Sequence, residues 1–184
     1  MNKPLQMPMF SPQTEWVPPL NLPDLKEYSE IAIDLETRDP NLMTMGSGSV
    51  RGDGEVVGIA IAVEGWSGYF PIAHEAGGNM DRALVLDWFE EVLHTDATKI
   101  FHNAMYDVSW IRALGFQIRG GIIDTMIAAS LVNENRWSFT LDSISKEFIG
   151  MGKNEKILAE AAKAWGVNPK AEMWRLPAPL VGEY

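Results

Sequence analysis

Apolar residues fall into short blocks along this chain, and the spacing inside each block predicts its element. Glu30-Ile31-Ala32-Ile33-Asp34-Leu35 is a brief apolar run ending in polar residues, the pattern of a strand that crosses a core and emerges at its end. Residues 55–63 (EVVGIAIAV) and 67–72 (SGYFPI) are rich in strand formers and flank Glu64-Gly65-Trp66, which predicts a hairpin. The period then lengthens. Leu86, Phe89 and Leu93 share one face of a helix over 80–94. A strand over 98–102 feeds a helix over 104–114, and a strand over 118–123 leads into an apolar helix over 125–133. After Trp137 the pattern is helical over 140–149 and again over 154–165, where Ile157, Leu158, Ala161, Ala162 and Trp165 recur at helical spacing.

Two stretches fall outside this pattern. Six prolines lie before residue 24 (Pro4, Pro8, Pro12, Pro18, Pro19 and Pro23) and exclude a regular helix or central strand there. Residues 1–29 therefore read as a proline-rich extended arm, and 30–184 as the folded domain. Residues 38–54, rich in Gly, Asp, Asn and Ser, read as a long loop. Early strands joined by short turns, followed by strand–helix–strand–helix, predict an α/β domain with a mixed sheet and helices on its faces.

Composition narrows the chemistry. With 184 residues and 46% hydrophobic content, a single domain can bury a core without staples. The chain has no cysteine, which excludes disulfides, thiolate metal sites and cysteine nucleophiles. His74, His94 and His102 do not cluster in sequence, which disfavours a histidine zinc site. No apolar run reaches membrane-spanning length and no signal-peptide core opens the chain, so no membrane partner and a cytoplasmic setting are expected. The formal charge is −10, the wrong sign for gripping nucleic acid by phosphate neutralisation alone. Any polyanionic substrate would need bound cations or a basic partner domain.

The carboxylates are the candidates. Asp34 and Glu36 lie two apart at the end of the first strand, so alternation puts them on one face. Adjacent carboxylates repel unless a cation lies between them, and hard cations such as Mg²⁺ suit such a pair beside substrate phosphates. With 10 Asp and 15 Glu the chain should hold roughly one Asp-x-Glu by chance, so the motif alone is weak. A second pair, Asp53-Gly54-Glu55, sits in a glycine-rich loop and reads as turn chemistry. Position separates the two, because open α/β sheets bind ligands at the carboxyl ends of their strands. Further on, Asn103 and Asp107 stand i,i+4 at a helix start. There Asn103 also suits the N-cap and Asp107 the helix dipole.

Asp34-x-Glu36-Thr37 followed about 70 residues later by Asn103-x-x-x-Asp107 resembles the first two motifs of the DEDD superfamily of 3′–5′ exonucleases. His102-Asn103-Ala104-Met105-Tyr106-Asp107 and Ile123-Asp124-Thr125-Met126 are similar to the proofreading domain of phage or bacterial family-A DNA polymerases. The resemblance runs from about residue 30 to the last residue. It implies an RNase H-like fold with a five-stranded mixed sheet flanked by helices.

The family's third motif is Tyr-x-x-x-Asp, and its tyrosine matches Tyr184, the last residue. Its aspartate would fall beyond the chain, so the resemblance implies a C-terminally truncated domain with impaired cleavage and a polymerase domain following. His102 precedes Asp107 by five and mimics a histidine variant of that motif. Asp107 already serves the second motif, so His102 is set aside.

By resemblance, Asp34, Glu36 and Asp107 hold two divalent cations, Mg²⁺ or Mn²⁺. Tyr184 orients the attacking water, and Thr37 and Asn103 contact the terminal nucleotide. Leu42 and Met43 are candidates to wedge against bases. The implied partners are a single-stranded DNA 3′ end and the polymerase domain, and for a phage protein the setting is the host cytoplasm. Asp124 is assigned a structural role. Trp88, Trp110 and Trp165 are expected in the core, while Trp66, Trp137 and Trp174 are expected in irregular segments facing the absent domain. His74 and His94 are expected at the surface. Alternatives are a catalytically silent nucleic-acid-binding or scaffolding module, a stand-alone exoribonuclease, and a binder of a divalent ion with a phosphorylated small molecule.

Overall fold

The computed structural model describes residues 4–184. Five strands form one sheet in the order β3-β2-β1-β4-β5. They are β1 (Glu30–Arg38), β2 (Glu55–Val63), β3 (Trp66–Pro71), β4 (Thr98–Phe101) and β5 (Ile122–Asp124). β1 pairs antiparallel with β2 and parallel with β4, and β4 pairs parallel with β5, so the sheet is mixed as the pattern predicts. Eight helices accompany it among the described residues: α1 (Leu42–Met45), α2 (Gly48–Arg51), α3 (Arg82–Leu93), α4 (Ala104–Ala113), α5 (Thr125–Val132), α6 (Leu141–Ile149), α7 (Lys156–Trp165) and α8 (Ala178–Gly182).

Alternation in β1 divides the molecule into two hydrophobic clusters. Ile31, Ile33 and Leu35 join Ile59, Ile61 and Phe70 from the hairpin, Val85, Phe89, Val92 and Leu93 from α3, and Trp110 and Ile111 from α4. Tyr69 belongs to the second cluster, with Leu158, Ala161, Ala162 and Trp165 of α7 and Leu180 and Val181 of α8. Burying a side chain of this size contributes about 1.5–3 kcal/mol, so each cluster fixes its helices firmly.

Several expectations shift. β5 begins at Ile122 rather than 118, because Gly120 turns at φ +83° and a Cβ there would overlap the Ala97 carbonyl. The loop over 38–54 contains two single-turn helices. Ser47 caps α2 by accepting from the Ser49 N–H, and buried Asp39 accepts from Gly48 N–H at 2.9 Å and pairs with Arg51 at 3.2 Å. Trp66 lies in β3 and packs on the first cluster, and Trp174 is buried in a 3₁₀ turn (Met173–Arg175), so neither faces outward as expected. Trp137 is fully exposed.

The expectation of a surface His74 is wrong. Its ring is buried, bonded to the Tyr69 hydroxyl at 2.5 Å and the Leu176 carbonyl at 3.1 Å, and burial lowers its pKa to about 4. Lys99, in the middle of β4, is also fully buried. Its ammonium group donates to the carbonyls of Thr95, Ala97 and Arg119 and so leaves no proton unpaired.

Residues 4–29 contain no helix or strand, as the prolines require. They nevertheless lie against the domain. Leu25 is in the first cluster, Pro23 accepts from the Trp88 indole at 2.8 Å, and Ser11 accepts from the Trp165 indole at 3.0 Å.

Candidate active site

β1 and β4 pair only over Glu30–Ala32 and Thr98–Ile100. Beyond that point β1 runs on without a parallel partner, so the Leu35 N–H faces α4 rather than a strand. The Asp107 carboxylate accepts it at 2.9 Å. One hydrogen bond thus ties the second motif to the backbone between Asp34 and Glu36. The register of β1 against β2 slips between Glu36 and Thr37, a bulge that re-aims the residues at the strand end.

Asp34 and Glu36 line a cleft of about 510 Å³ together with Tyr69, His102, Lys153 and Tyr184. Small residues, Ala32, Ala60, Ala62 and Gly68, are among its lining. Asp34 opens to solvent through the cleft, Glu36 is half-buried and Asp107 is buried.

The carboxylates oppose one another. Burial, then the charge of Asp34, pushes Glu36 up to about 8, with Lys153 pulling the other way and Asp107 adding to the rise. Burial and Asp34 push Asp107 up to about 7 against the Leu35 N–H. Asp34, though open to solvent on one side, is raised by the loss of water around its carboxyl in the cleft, with Lys153 and His102 opposing. Three acids held where each makes the others harder to ionise are short of positive charge, and a hard divalent cation is the chemistry that supplies it. As placed, no three His, Asp or Glu side chains among the described residues converge closely enough to enclose an ion.

Tyr184 reaches the cleft at the end of α8. Lys153 donates to its hydroxyl at 2.7 Å and lies 5.2 Å from its ring centroid. Burial works against the charge on Lys153, but the Tyr184 hydroxyl and the carboxylates of Asp34 and Glu36 outweigh it and raise its pKa. Lys153 was not among the sequence candidates. It sits in an irregular segment 46 residues beyond the second motif, where no local pattern links it to the carboxylates.

The other candidates are placed as follows. Thr37 exchanges a hydrogen bond of 2.7 Å with the Tyr106 hydroxyl beside the carboxylate pair. Asn103 is exposed at the start of α4 in the left-handed region, φ +67°, and its side chain does not cap the helix as expected. Asp124 caps instead, accepting from Asn103 N–H at 3.0 Å and Ala104 N–H at 2.8 Å. It also caps its own helix α5 through Met126 and Ile127. Burial opposes its charge, yet these four N–H groups hold it below the usual carboxylate range. Leu42 is partly exposed in α1 and Met43 almost fully exposed; neither lines the cleft. Asp53 pairs with Arg51 at 2.7 Å and Glu55 with Arg38 at 2.9 Å, away from the cleft.

A mixed five-stranded sheet with acids at the carboxyl end of its central strand is the RNase H-like fold of 3′–5′ exonucleases. Two solved structures share that fold. Trypanosoma brucei RNase D aligns with a TM-score of 0.60 at 15% identity, over 86% of this chain and 55% of its own. Brucella melitensis NrnC with bound Mg²⁺ aligns with a TM-score of 0.53 at 20% identity, over 84% and 83%.

The chain belongs to the 3′–5′ exonuclease family of family-A DNA polymerases, whose model matches residues 22–176. It is 35% identical over 193 residues to a DNA-directed DNA polymerase of Pseudomonas phage M6, covering 98% of this chain. It is 26% identical over 133 residues to DNA polymerase I of Borreliella burgdorferi, covering 72% of this chain. The chain spans 28% and 13% of the lengths of these two polymerases. Among the described residues no helix is long and apolar enough to cross a membrane.

Proposed function

We propose that this domain is a divalent-metal-dependent 3′–5′ exonuclease that removes nucleotides from a single-stranded or frayed DNA 3′ end, in proofreading for a polymerase domain of the same protein. What supports this reading is that Asp34, Glu36, Tyr184 and Lys153 line one cleft while Asp107 is bonded to the backbone between the first two. Family membership adds the reaction class.

Asp34, Glu36 and Asp107 would hold two divalent cations, Mg²⁺ or Mn²⁺. When bound, two such cations neutralise charge on the attacking and leaving oxygens of an in-line displacement. The Tyr184 hydroxyl orients a water toward the last phosphodiester. The new P–O bond forms as the P–O3′ bond breaks, which releases a nucleoside 5′-monophosphate and a shortened strand with a free 3′ hydroxyl. Thr37 and Asn103 contact the terminal nucleotide, and Leu42, which lies outside the cleft, is the third candidate contact. Lys153 and the cations offset the −10 charge where the polyanion enters. The setting is the cytoplasm, that of the host cell if the protein is phage-encoded.

The test is shortening of a 5′-labelled single-stranded DNA by this chain, and by a form extended past Tyr184, with Mg²⁺, Mn²⁺ or chelator. Metal-dependent shortening that Asp34→Ala abolishes supports the reading. A folded, metal-loaded extended form that leaves the strand intact overturns it.

A further inference from the structure

α8 has five residues, too few to hold a helix in place by its own hydrogen bonds, yet it carries the segment that ends in Tyr184. Its position must come from what it packs on, which is α7, β3 and, at its last turn, the proline-rich arm. Trp16 is half-buried against the second cluster, between α8 and β3. A Cβ on Gly182 would overlap the Trp16 indole, and Gly182 has no positive φ, so the close approach of this ring is what requires glycine there. On its other side the indole lies 6.1 Å from the Tyr69 ring, tilted by 49°.

Two further bonds register the arm. Thr14 Oγ1 donates to Glu183 at 2.6 Å and accepts from the Trp16 N–H at 3.0 Å, and Ser11 holds the Trp165 indole of α7. Trp16 also lines the cleft that contains Asp34, Glu36 and Tyr184. The arm therefore touches Gly182 and Glu183, the two residues before Tyr184, whereas Asp34 and Glu36 stand on β1 and Asp107 on α4.

We propose that Trp16 is a positioning residue for Tyr184: the arm wedges α8 at a fixed distance from β1, so that the tyrosine hydroxyl faces the carboxylates. This rests on the exonuclease reading for its catalytic consequence, but not for its structural one. A displacement of about 1 Å at a reacting group can cost up to about a hundredfold in rate, so loss of the wedge should be visible in turnover.

The test compares wild type, Trp16→Ala and Trp16→Phe. Hydrogen exchange at the amides of residues 178–184 is the readout independent of activity. Trp16→Ala should accelerate exchange there while β1 and β2 stay protected, and Trp16→Phe should restore protection. With labelled single-stranded DNA, Trp16→Ala should lower kcat by about tenfold or more with KM within about twofold, and Trp16→Phe should recover most of it.

Unchanged exchange at 178–184, or wild-type kcat in the alanine variant, overturns the proposal. A rise in KM alone also overturns it and makes Trp16 a DNA-stacking residue instead. Exchange accelerated throughout the sheet overturns it in favour of a general structural role. Should the form extended past Tyr184 also fail to cleave with metal, the exonuclease reading falls, and the exchange experiment alone still decides whether the arm positions α8.

Discussion

Replacing Glu36 by glutamine should stabilise the metal-free protein at alkaline pH. The folded state raises this acid from 4.5 to about 8, so between those values the folded protein holds a proton that the unfolded chain has released. The sign follows from linkage: stability from this group is complete below about pH 4.5 and is lost progressively as pH rises toward 8. At 1.36 kcal/mol per pH unit the full loss is about 5 kcal/mol. Asp34 and Asp107 share the same repulsion, and the cluster can relax by keeping its proton on another member, so about 3 kcal/mol is the working figure.

Glutamine carries no charge in either state and lacks this dependence. Chelator-treated Glu36→Gln should then melt roughly 6–12 °C above wild type near pH 9, and within about 2 °C of it near pH 5. Mg²⁺ at alkaline pH should raise the wild-type midpoint more than that of the variant, because the cation relieves a repulsion the variant no longer has. Denaturation by calorimetry or urea with and without chelator reads all of this. A glutamine variant no more stable than wild type near pH 9, or a gap that does not change with pH, would refute the claim that these acids are held under mutual repulsion.

Other outcomes follow from the same geometry. Mn²⁺ affinity, measured by calorimetry, should rise between about pH 6 and 9, because Asp107 and Glu36 must lose protons held up to about 7 and 8; a flat profile contradicts the assignment of these ligands. Gly58→Ala should cost about 1–3 kcal/mol, since its Cβ would overlap the Tyr69 hydroxyl, and the loss should shrink in a Gly58→Ala, Tyr69→Ala double variant measured against Tyr69→Ala. Asp124→Ala removes the carboxylate that accepts from the starts of both α4 and α5, and should lower urea stability by about 2 kcal/mol; an unchanged midpoint would deny it that capping role.

The strands and long helices were legible because each announces itself locally: alternation in Ile31, Ile33 and Leu35, and helical spacing from Leu158 to Trp165. The acids of the first two motifs were legible for the same reason, since two short spacings carry them. What escaped depends on how distant segments meet. His74 reads as a surface residue until Leu176, 102 positions later, supplies a carbonyl for its ring. Lys153 reaches the cleft only through the docking of the C-terminal helices. Asn103 satisfied every local rule for an N-cap, yet a carboxylate 21 residues away took the role and left Asn103 exposed in a left-handed conformation. The arm's prolines excluded regular structure correctly, but nothing in their spacing said that Trp16 would sit against Gly182.

Polarity of cleavage tests the central claim most directly. One single-stranded DNA, labelled in separate samples at its 5′ and 3′ ends, is incubated with the protein and Mn²⁺ and sampled over time. A 3′–5′ exonuclease releases labelled mononucleotide at once from the 3′-labelled strand, and turns the 5′-labelled strand into a ladder descending one nucleotide at a time. Internal fragments at the earliest times, loss of the 5′ label as mononucleotide, or equal cleavage with chelator present would contradict the account.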